Sequence, residues 1–443
     1  MDRPLSRSQF IPNLAQVTLF VILLRVLGVV PPTLNPVDFS DLQAAAYAVQ
    51  TSNSDAVNQI FWLTAACVAS ILIWSNPARV LVYFKRLPFL FLFLGFCVLS
   101  AAWATHPAIS IRRSILLLIG VYSVLAAVAF CPTPTAPLKI LYAAFSAVLI
   151  MSLLSLPFPF AFDERGLFRG VSADKNFLGM LAALALIVSV CVRRFLISKG
   201  MRRLNMLAIL AWVAILPLTG AKTAIALTVI APILAYVVSL GIRSLHTSLS
   251  ATIVLVILLG TSLLAFMMEA LNFDLSDIIG LAVTDVSFTG RDVVWQFCID
   301  QWKMRWFLGF GYGSFWGVGL DSPSLGANYP FIRLLSQSHN GYLDVALAVG
   351  SAGLALLIGF ISQYLMLLDR ARRQGFAIYR FGLVSTIFIL LHNITDSSLA
   401  RDVSAPWILL LCASFMLTKC LPGDEPASLG RMRALPPLKP AAS

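Results

Sequence analysis

Residues 336–367 read SQSHNGYLDVALAVGSAGLALLIGFISQYLML, and the change of character inside this stretch fixes the fold class. From Gly341 to Leu367 the chain carries one charge, Asp344, and is long enough as a helix to cross a hydrocarbon core of about 30 Å. Polar residues bound the run: Ser338, His339 and Asn340 open it, and Arg370, Arg372 and Arg373 follow it. The run therefore reads as a membrane-spanning helix with a polar mouth.

Working outward, the same kind of run recurs along nearly the whole chain. Twelve are found, at residues 12–31, 57–74, 88–104, 114–131, 139–160, 177–192, 204–218, 223–241, 249–268, 341–367, 381–395 and 405–421. Composition agrees: 59% of the 443 residues are hydrophobic, 12% are charged, and the mean hydropathy of +0.87 excludes a soluble domain of this size. The expected fold is an all-α polytopic membrane protein of about 12 transmembrane helices, with a long outer loop containing short helices. Its parts are 1–268 with helices one to nine, the large loop 269–340, 341–421 with helices ten to twelve, and a disordered cytoplasmic tail, 422–443, that holds five prolines and scattered basic residues. The first run is long, carries Arg25 in its middle and has no small-residue cleavage site after it, so it is expected to remain as a helix.

Short cytoplasmic loops are enriched in Lys and Arg. With both termini inside, 20 of the 32 Lys and Arg fall on the cytoplasmic side and 11 outside, with Arg25 left over. The 20 acidic residues divide as 4 inside and 16 outside. The net charge of +12 is thus a targeting feature, and no nucleic-acid partner is implied. Of the seven cysteines only Cys298 lies in the long loop, so no disulfide framework is expected there.

The 11 outer cations are Arg112, Arg113, Arg165, Arg169, Lys175, Lys222, Arg291, Lys303, Arg305, Arg333 and Arg401, spread over five connections that a helix bundle would gather around one cavity. Lys222, in LTGAKTAIAL, stands in a very short hairpin between apolar helices, where a charge is costly without a partner; the alternative is a lysine that snorkels to water. Convergent Arg and Lys suit phosphate. The loop is expected to hold an amphipathic helix from about Asp292 to Trp306, its face formed by Val293, Phe297, Ile299 and Trp302, and then the Gly-aromatic stretch GFGYGSFWG. Four tryptophans between Trp295 and Trp316 suit an interfacial position.

His339, with Ser338 or Asn340 as helix N-cap, would sit at the positive end of the tenth helix, which disfavours its protonated form. A neutral imidazole can accept a proton. Asn340 can cap the helix or bind ligand hydroxyls, and Asp344, one turn on, can orient a neighbour. The alternative is a histidine that only anchors the helix at the interface. There is no P-loop, HExxH or GxSxG, and no DxD that would hold a metal-bound diphosphate. A bound diphosphate would be neutralised by basic side chains, and no metal or cofactor is expected.

Taken in order, RGVSADKNFLG, TGAKTA, TGRDVVW, GFGYGSF and SHNGYLDVALAVGSAGL resemble the bacterial O-antigen ligases and polysaccharide polymerases, the exopolysaccharide polymerases most of all. WATHPAISIRRS and HNITDSSL resemble further segments of that family, whereas Lys222 stands where relatives often carry arginine. The resemblance implies a metal-independent glycosyltransferase of the bacterial inner membrane, with both termini cytoplasmic and the active site facing the periplasm. It would act on polyprenyl-diphosphate-linked oligosaccharides as donor and acceptor among membrane lipids. A flippase and a chain-length regulator are the partners the family implies. Arg291 and His339 would be catalytic. Arg112, Arg113, Arg165, Arg169, Lys175 and Lys222 would bind the diphosphate, and Asn176, Asn340, Asp344, Trp295 and Tyr312 the sugars or an orienting network. Competing readings are a ligase that transfers finished polysaccharide to another acceptor and a secondary transporter of an anion. The second would place its site near the midplane, whereas the polar residues here crowd one face.

Overall fold

The computed structural model describes residues 7–29, 56–270, 290–318 and 322–421. The tail from 422 and parts of the long loop, both assigned above from sequence, lie outside the described residues. The helices are α1 (Arg7–Val26), α2 (Ala56–Ser75), α3 (Ala78–Arg86), α4 (Pro88–Leu99), α5 (Pro107–Phe130), α6 (Ala136–Ser155), α7 (Lys175–Val192), α8 (Lys199–Leu218), α9 (Lys222–Leu245), α10 (Leu249–Ala270), α11 (Arg291–Met304), α12 (Gly341–Arg373), α13 (Tyr379–Thr395) and α14 (Ala405–Cys420). Each of the twelve apolar runs falls on one of them. Among the described residues eight are long and apolar enough to cross a membrane, and α3 with α4, bent by 88°, makes a ninth if the pair crosses as one span. Pro88 causes the bend by removing a backbone donor just after Leu87 leaves helical geometry. The chain is an all-α polytopic membrane protein.

Burial separates an inner from an outer set of helices. α14 is buried continuously from Ala405 to Thr418, and it packs on α5 and α13. α7, buried from Leu178 to Ser189, packs on α6, α8 and α13. α9 is different. It buries Ala224, Leu227, Ala231, Ala235, Val238 and Ile242, at intervals of three or four residues, against its neighbours and exposes Val229, Ile233 and Tyr236. An aliphatic outer face of this kind is stable only where the surrounding solvent is itself apolar.

One expectation about α1 is corrected. Arg25 stands in the last turn of the helix, not in the middle of a span. The chain turns there, with the amide of Gly28 donating to the carbonyl of Arg25 (3.3 Å) and that of Val29 to Leu24 (3.0 Å). Pro31 and Pro32 follow in the sequence and oppose helix continuation. Arg25 donates to Asn58 Oδ1 at 2.7 Å and lies 5.8 Å from the centre of the Phe61 ring.

The long helix α12 is interrupted at Gly350, where φ is 65° and ψ −172°. The loop backbone fills the interruption: Ser351 N donates to Trp306 O (2.8 Å), Ala352 N to Phe307 O (3.1 Å), and Phe310 N to Leu347 O (2.8 Å). A Cβ on Gly350 would lie 2.1 Å from Phe307 O, so only glycine allows the two backbones to meet. The Gly-aromatic stretch is in this way threaded against the helix rather than lying on the surface. It is held on its other side by the α4–α5 connection, through Thr105 N to Phe310 O (3.0 Å) and Tyr312 N to Ser100 Oγ (2.8 Å).

α11 packs on α12. The centre of its buried face is Val294 and Cys298, with Val293, Phe297 and Trp302 at the margins, and these residues join Phe310, Phe315, Ile332 and Leu347 in a second small core. The expected face is therefore rotated by about one residue. Its partner is the loop and α12, which contact Val294 and Cys298 more fully than a flat membrane surface would.

Candidate active site

The mouth of α12 is built by side chains that bond to backbone. Asn340 is the N-cap, its Oδ1 accepting from the amides of Tyr342 (3.1 Å) and Leu343 (3.2 Å). Ser338 Oγ donates to Asn340 O at 2.8 Å and accepts from its amide at 3.1 Å. Asp344 accepts from the Ser338 amide (3.0 and 3.2 Å) and from the indole Nε1 of Trp316 (2.9 Å), so it fastens the loop to the first turn. Trp295 Nε1 donates to Ser338 O at 3.1 Å, and this bond sets the N-terminal turn of α11, with Arg291, against the mouth. Between these anchors His339 adopts a left-handed conformation, φ 55°, which costs about 1 kcal/mol for a non-glycine residue.

The end of α13 closes the mouth from the other side. The amide of Gly341 donates to Asp396 O at 2.9 Å, and a Cβ on Gly341 would stand 2.1 Å from Asn393 Oδ1. Asn393 Oδ1 accepts from the amides of Ser398 (2.8 Å) and Leu399 (2.9 Å) and so shapes the chain after α13. His392, buried and stacked on Phe388, has Nε2 3.7 Å from Asp396 Oδ2, while its buried Nδ1 has no partner among the described residues. None of His392, Asn393, Asp396 and Gln337 was picked out as a functional residue from sequence. HNGYLD (339–344) and HNITD (392–396) are alike in sequence, and the two segments meet in space through the Gly341–Asp396 bond.

The electrostatics converge on the imidazole. Burial holds the His339 pKa below its ordinary value of 6.5, the charge of Arg291 pushes the same way, and Asp396 and Asp344 oppose them. Burial likewise works against the charge of Arg291, and Asp396 offsets it. Arg401 donates to Gln337 Oε1 and, at 3.2 Å, to Ser336 O. Because arginine only donates, this contact leaves the Gln337 amide nitrogen facing His339 Nδ1 at 3.3 Å. Nδ1 then accepts, and the ring proton of the neutral imidazole rests on Nε2.

The other residues expected at the site occupy three places. Tyr312 is buried beneath the mouth, its hydroxyl donating to Ala400 O (2.6 Å) and accepting from the Asp402 amide (3.1 Å). Arg113 is turned onto the loop, donating to the carbonyls of Gly313, Trp316 (3.1 Å) and Gly317 (3.3 Å), and so holds the stretch that carries Trp316; Arg112 beside it is half-buried. Arg169, Lys175 and Lys222 gather where the α6–α7 connection meets the α8–α9 hairpin, a junction made by Phe168 N donating to Leu218 O at 3.0 Å. There Arg169 Nε donates to Phe160 O (2.9 Å), and Lys175 lies 3.8 Å from Asp163, whose carboxyl is held below its usual range by the Leu167 and Arg165 amides and by Lys175. Arg165, Asn176 and Lys222 are exposed. Both α7 and α9 pack on α13, the helix that ends in His392 and Asp396.

Residues 206–358 match the protein family described as O-Antigen ligase. The matched segment runs from α8 into α12 and includes Lys222, Arg291, Trp295, Tyr312, His339, Asn340 and Asp344, but neither Arg169 and Lys175 nor His392 and Asp396. The chain is also similar to the exopolysaccharide production protein ExoQ of Rhizobium meliloti (strain 1021), at 26% identity over 72% of this chain and 74% of the relative. The family segment, the similarity to ExoQ and the multi-span helical fold together make the chain similar to the O-antigen ligases and polysaccharide polymerases of membranes.

Proposed function

We propose that this chain is a glycosyltransferase of the bacterial inner membrane that polymerises polyprenyl-diphosphate-linked oligosaccharide repeat units into exopolysaccharide at the periplasmic face, without a metal. The observation that carries this reading is the mouth of α12, where a half-buried arginine and an imidazole disfavoured from protonation share one carboxylate, Asp396. In the proposed reaction an acceptor sugar hydroxyl attacks the anomeric carbon of the lipid-linked donor and the lipid diphosphate departs. Arg291, with Arg169, Lys175 and Lys222 from the α6–α7 connection and the α8–α9 hairpin, balances the charge that develops on the departing group. His339 either takes the hydroxyl proton or orients the hydroxyl while the departing diphosphate takes that proton; the Gln337 contact favours orientation, because it leaves the ring proton on Nε2. Asn340 and Asp344 position His339, and Trp295 and Trp316 hold the mouth together.

Orientation follows the charge bias: both termini lie in the cytoplasm, and the mouth of α12 faces the periplasm. The similarity to an exopolysaccharide production protein favours polymerisation. The family description favours a second reading, ligation of finished chains to another acceptor. Transport is disfavoured because the interruption of α12 at Gly350 is occupied by the loop's own backbone instead of opening a midplane site. Mass analysis of lipid-linked saccharides in cells lacking the protein separates the readings. Accumulated single repeat units, cleared by the wild-type chain, are expected; accumulated long chains would make it a ligase, and an unchanged lipid pool would remove the transferase reading. A flippase and a chain-length regulator would act before and beside this step.

A further inference from the structure

At the end of the bundle opposite the mouth of α12, the end of α9, the turn into α10 and the last turn of α12 line an open cavity of about 350 Å³. Arg243, His246, Thr247, Ser248, Arg372 and Arg373 line it. The buried carboxylate of Asp369 faces two of these cations: Arg372 donates to its Oδ1 from Nε (3.0 Å) and a terminal nitrogen (2.9 Å), and Arg373 donates from Nε to its Oδ2 (3.0 Å). Arg243 adds a third guanidinium and makes no hydrogen bond or ion pair among the described residues. One negative charge thus stands against three positive ones in a concave space, and such an excess is stabilised by an anion.

Neutral donors and the helix terminus point to the same ligand class. His246, in a left-handed conformation (φ 53°), ends α9 and turns the chain into α10, and Ser248 at the start of α10 accepts from the Ala251 amide at 3.3 Å. The positive end of a helix of 22 residues therefore borders the cavity. The helices that lead away expose Tyr236 and Leu240 on α9 and Val254 and Leu258 on α10, an aliphatic surface continuous with the bundle's outer face. A soluble anion would use the cations and leave that surface bare. A lipid would use both.

We propose that this cavity binds the phosphodiester headgroup of an anionic phospholipid, with its acyl chains along α9 and α10. The general excess of basic residues on this side of the membrane accounts for their number but not for their convergence on one cavity. The proposal is independent of the transferase reading, since it concerns the other end of the bundle.

The test uses the full chain purified in detergent, titrated with phosphatidylglycerol or phosphatidylcholine and followed by native mass spectrometry of retained lipid. Phosphatidylglycerol should be retained preferentially. Arg243→Gln should weaken that retention about five-fold, the effect of one arginine near a lipid phosphate, and Arg243→Lys should keep most of it. Inorganic phosphate at the same concentration should not displace the lipid. Equal retention of the two lipids, or undiminished phosphatidylglycerol binding in both Arg243→Gln and the double variant Arg243→Gln, His246→Gln, would overturn the proposal. Displacement by inorganic phosphate would also overturn it, in favour of a soluble-anion site.

Discussion

At one end of the bundle Lys419 donates to the carbonyl of Ala129 (2.9 Å) at the close of α5, and Arg86 donates to Thr418 O (2.9 Å) and Leu421 O (3.0 Å) at the close of α14. At the other end Arg291 and Arg401 stand around the imidazole of His339, with Asp396 and Asp344 opposing them. The first pair caps the negative ends of helices, and its charges are satisfied by backbone that does not change during a reaction. The second set balances cations against groups that can titrate or exchange partners, so an arriving anion alters every member. The difference teaches that, in a chain with 32 Lys and Arg, the partners of a cation and not its presence distinguish architecture from chemistry.

Substitutions at the two ends should therefore behave differently, and the largest contrast is at the imidazole. His339→Ala should lower polymer formation by roughly 10²-fold or more while leaving protein level and topology intact, because Asn340 and Asp344 still hold the mouth. Normal polymer in cells carrying this variant would end the role assigned to His339. Gln337→Glu sharpens the comparison further. A carboxylate beside Nδ1 requires the proton there and bares Nε2, so the rate should fall about ten-fold if His339 works by donating from Nε2. An unchanged or higher rate would make His339 a base.

Asp396→Asn acts through pH. If His339 takes the hydroxyl proton, only the neutral imidazole works, and activity is lost as pH falls through the His339 pKa, which lies below 6.5. Asp396 raises that value, and removing it should shift the acid limb to still lower pH; a limb that stays in place or rises would show that Asp396 does not face His339. At the capping end, Lys419→Met should leave the rate per folded molecule unchanged and lower the thermal midpoint by a few degrees, the result of losing a helix-end donor worth about 1 kcal/mol. A lowered rate at an unchanged midpoint would erase the distinction between the two ends.

Much of the fold was legible in the sequence, because crossing a membrane demands long apolar runs and all twelve lie on helices. Asn340 as a cap and His339 at a helix mouth were legible for a similar reason: local hydrogen bonding ties residue type to position within one turn. What escaped was long-range. Asp396 is tied to the turn after His339 by the Gly341–Asp396 backbone bond, and no periodicity reports a pairing across so many residues. Arg113 read as a ligand for phosphate because a free guanidinium and one spent on loop carbonyls look identical in a sequence. Arg25 was misplaced because hydropathy continued past Val26 where the backbone did not. The face of α11 was displaced by one residue because its partner, the Gly-aromatic stretch, has no regular pattern of its own to match.

The most direct test of the distinction is the transfer rate of the purified chain, reconstituted in liposomes with a polyprenyl-diphosphate-linked oligosaccharide, for Arg291→Gln beside Lys419→Met, with the thermal midpoint measured for each. Loss of roughly 10²-fold in rate for Arg291→Gln at an unchanged midpoint, and an unchanged rate for Lys419→Met at a lowered one, is the expected pair of results. A wild-type rate for folded Arg291→Gln would contradict the assignment of the α12 mouth as the chemical end of the molecule.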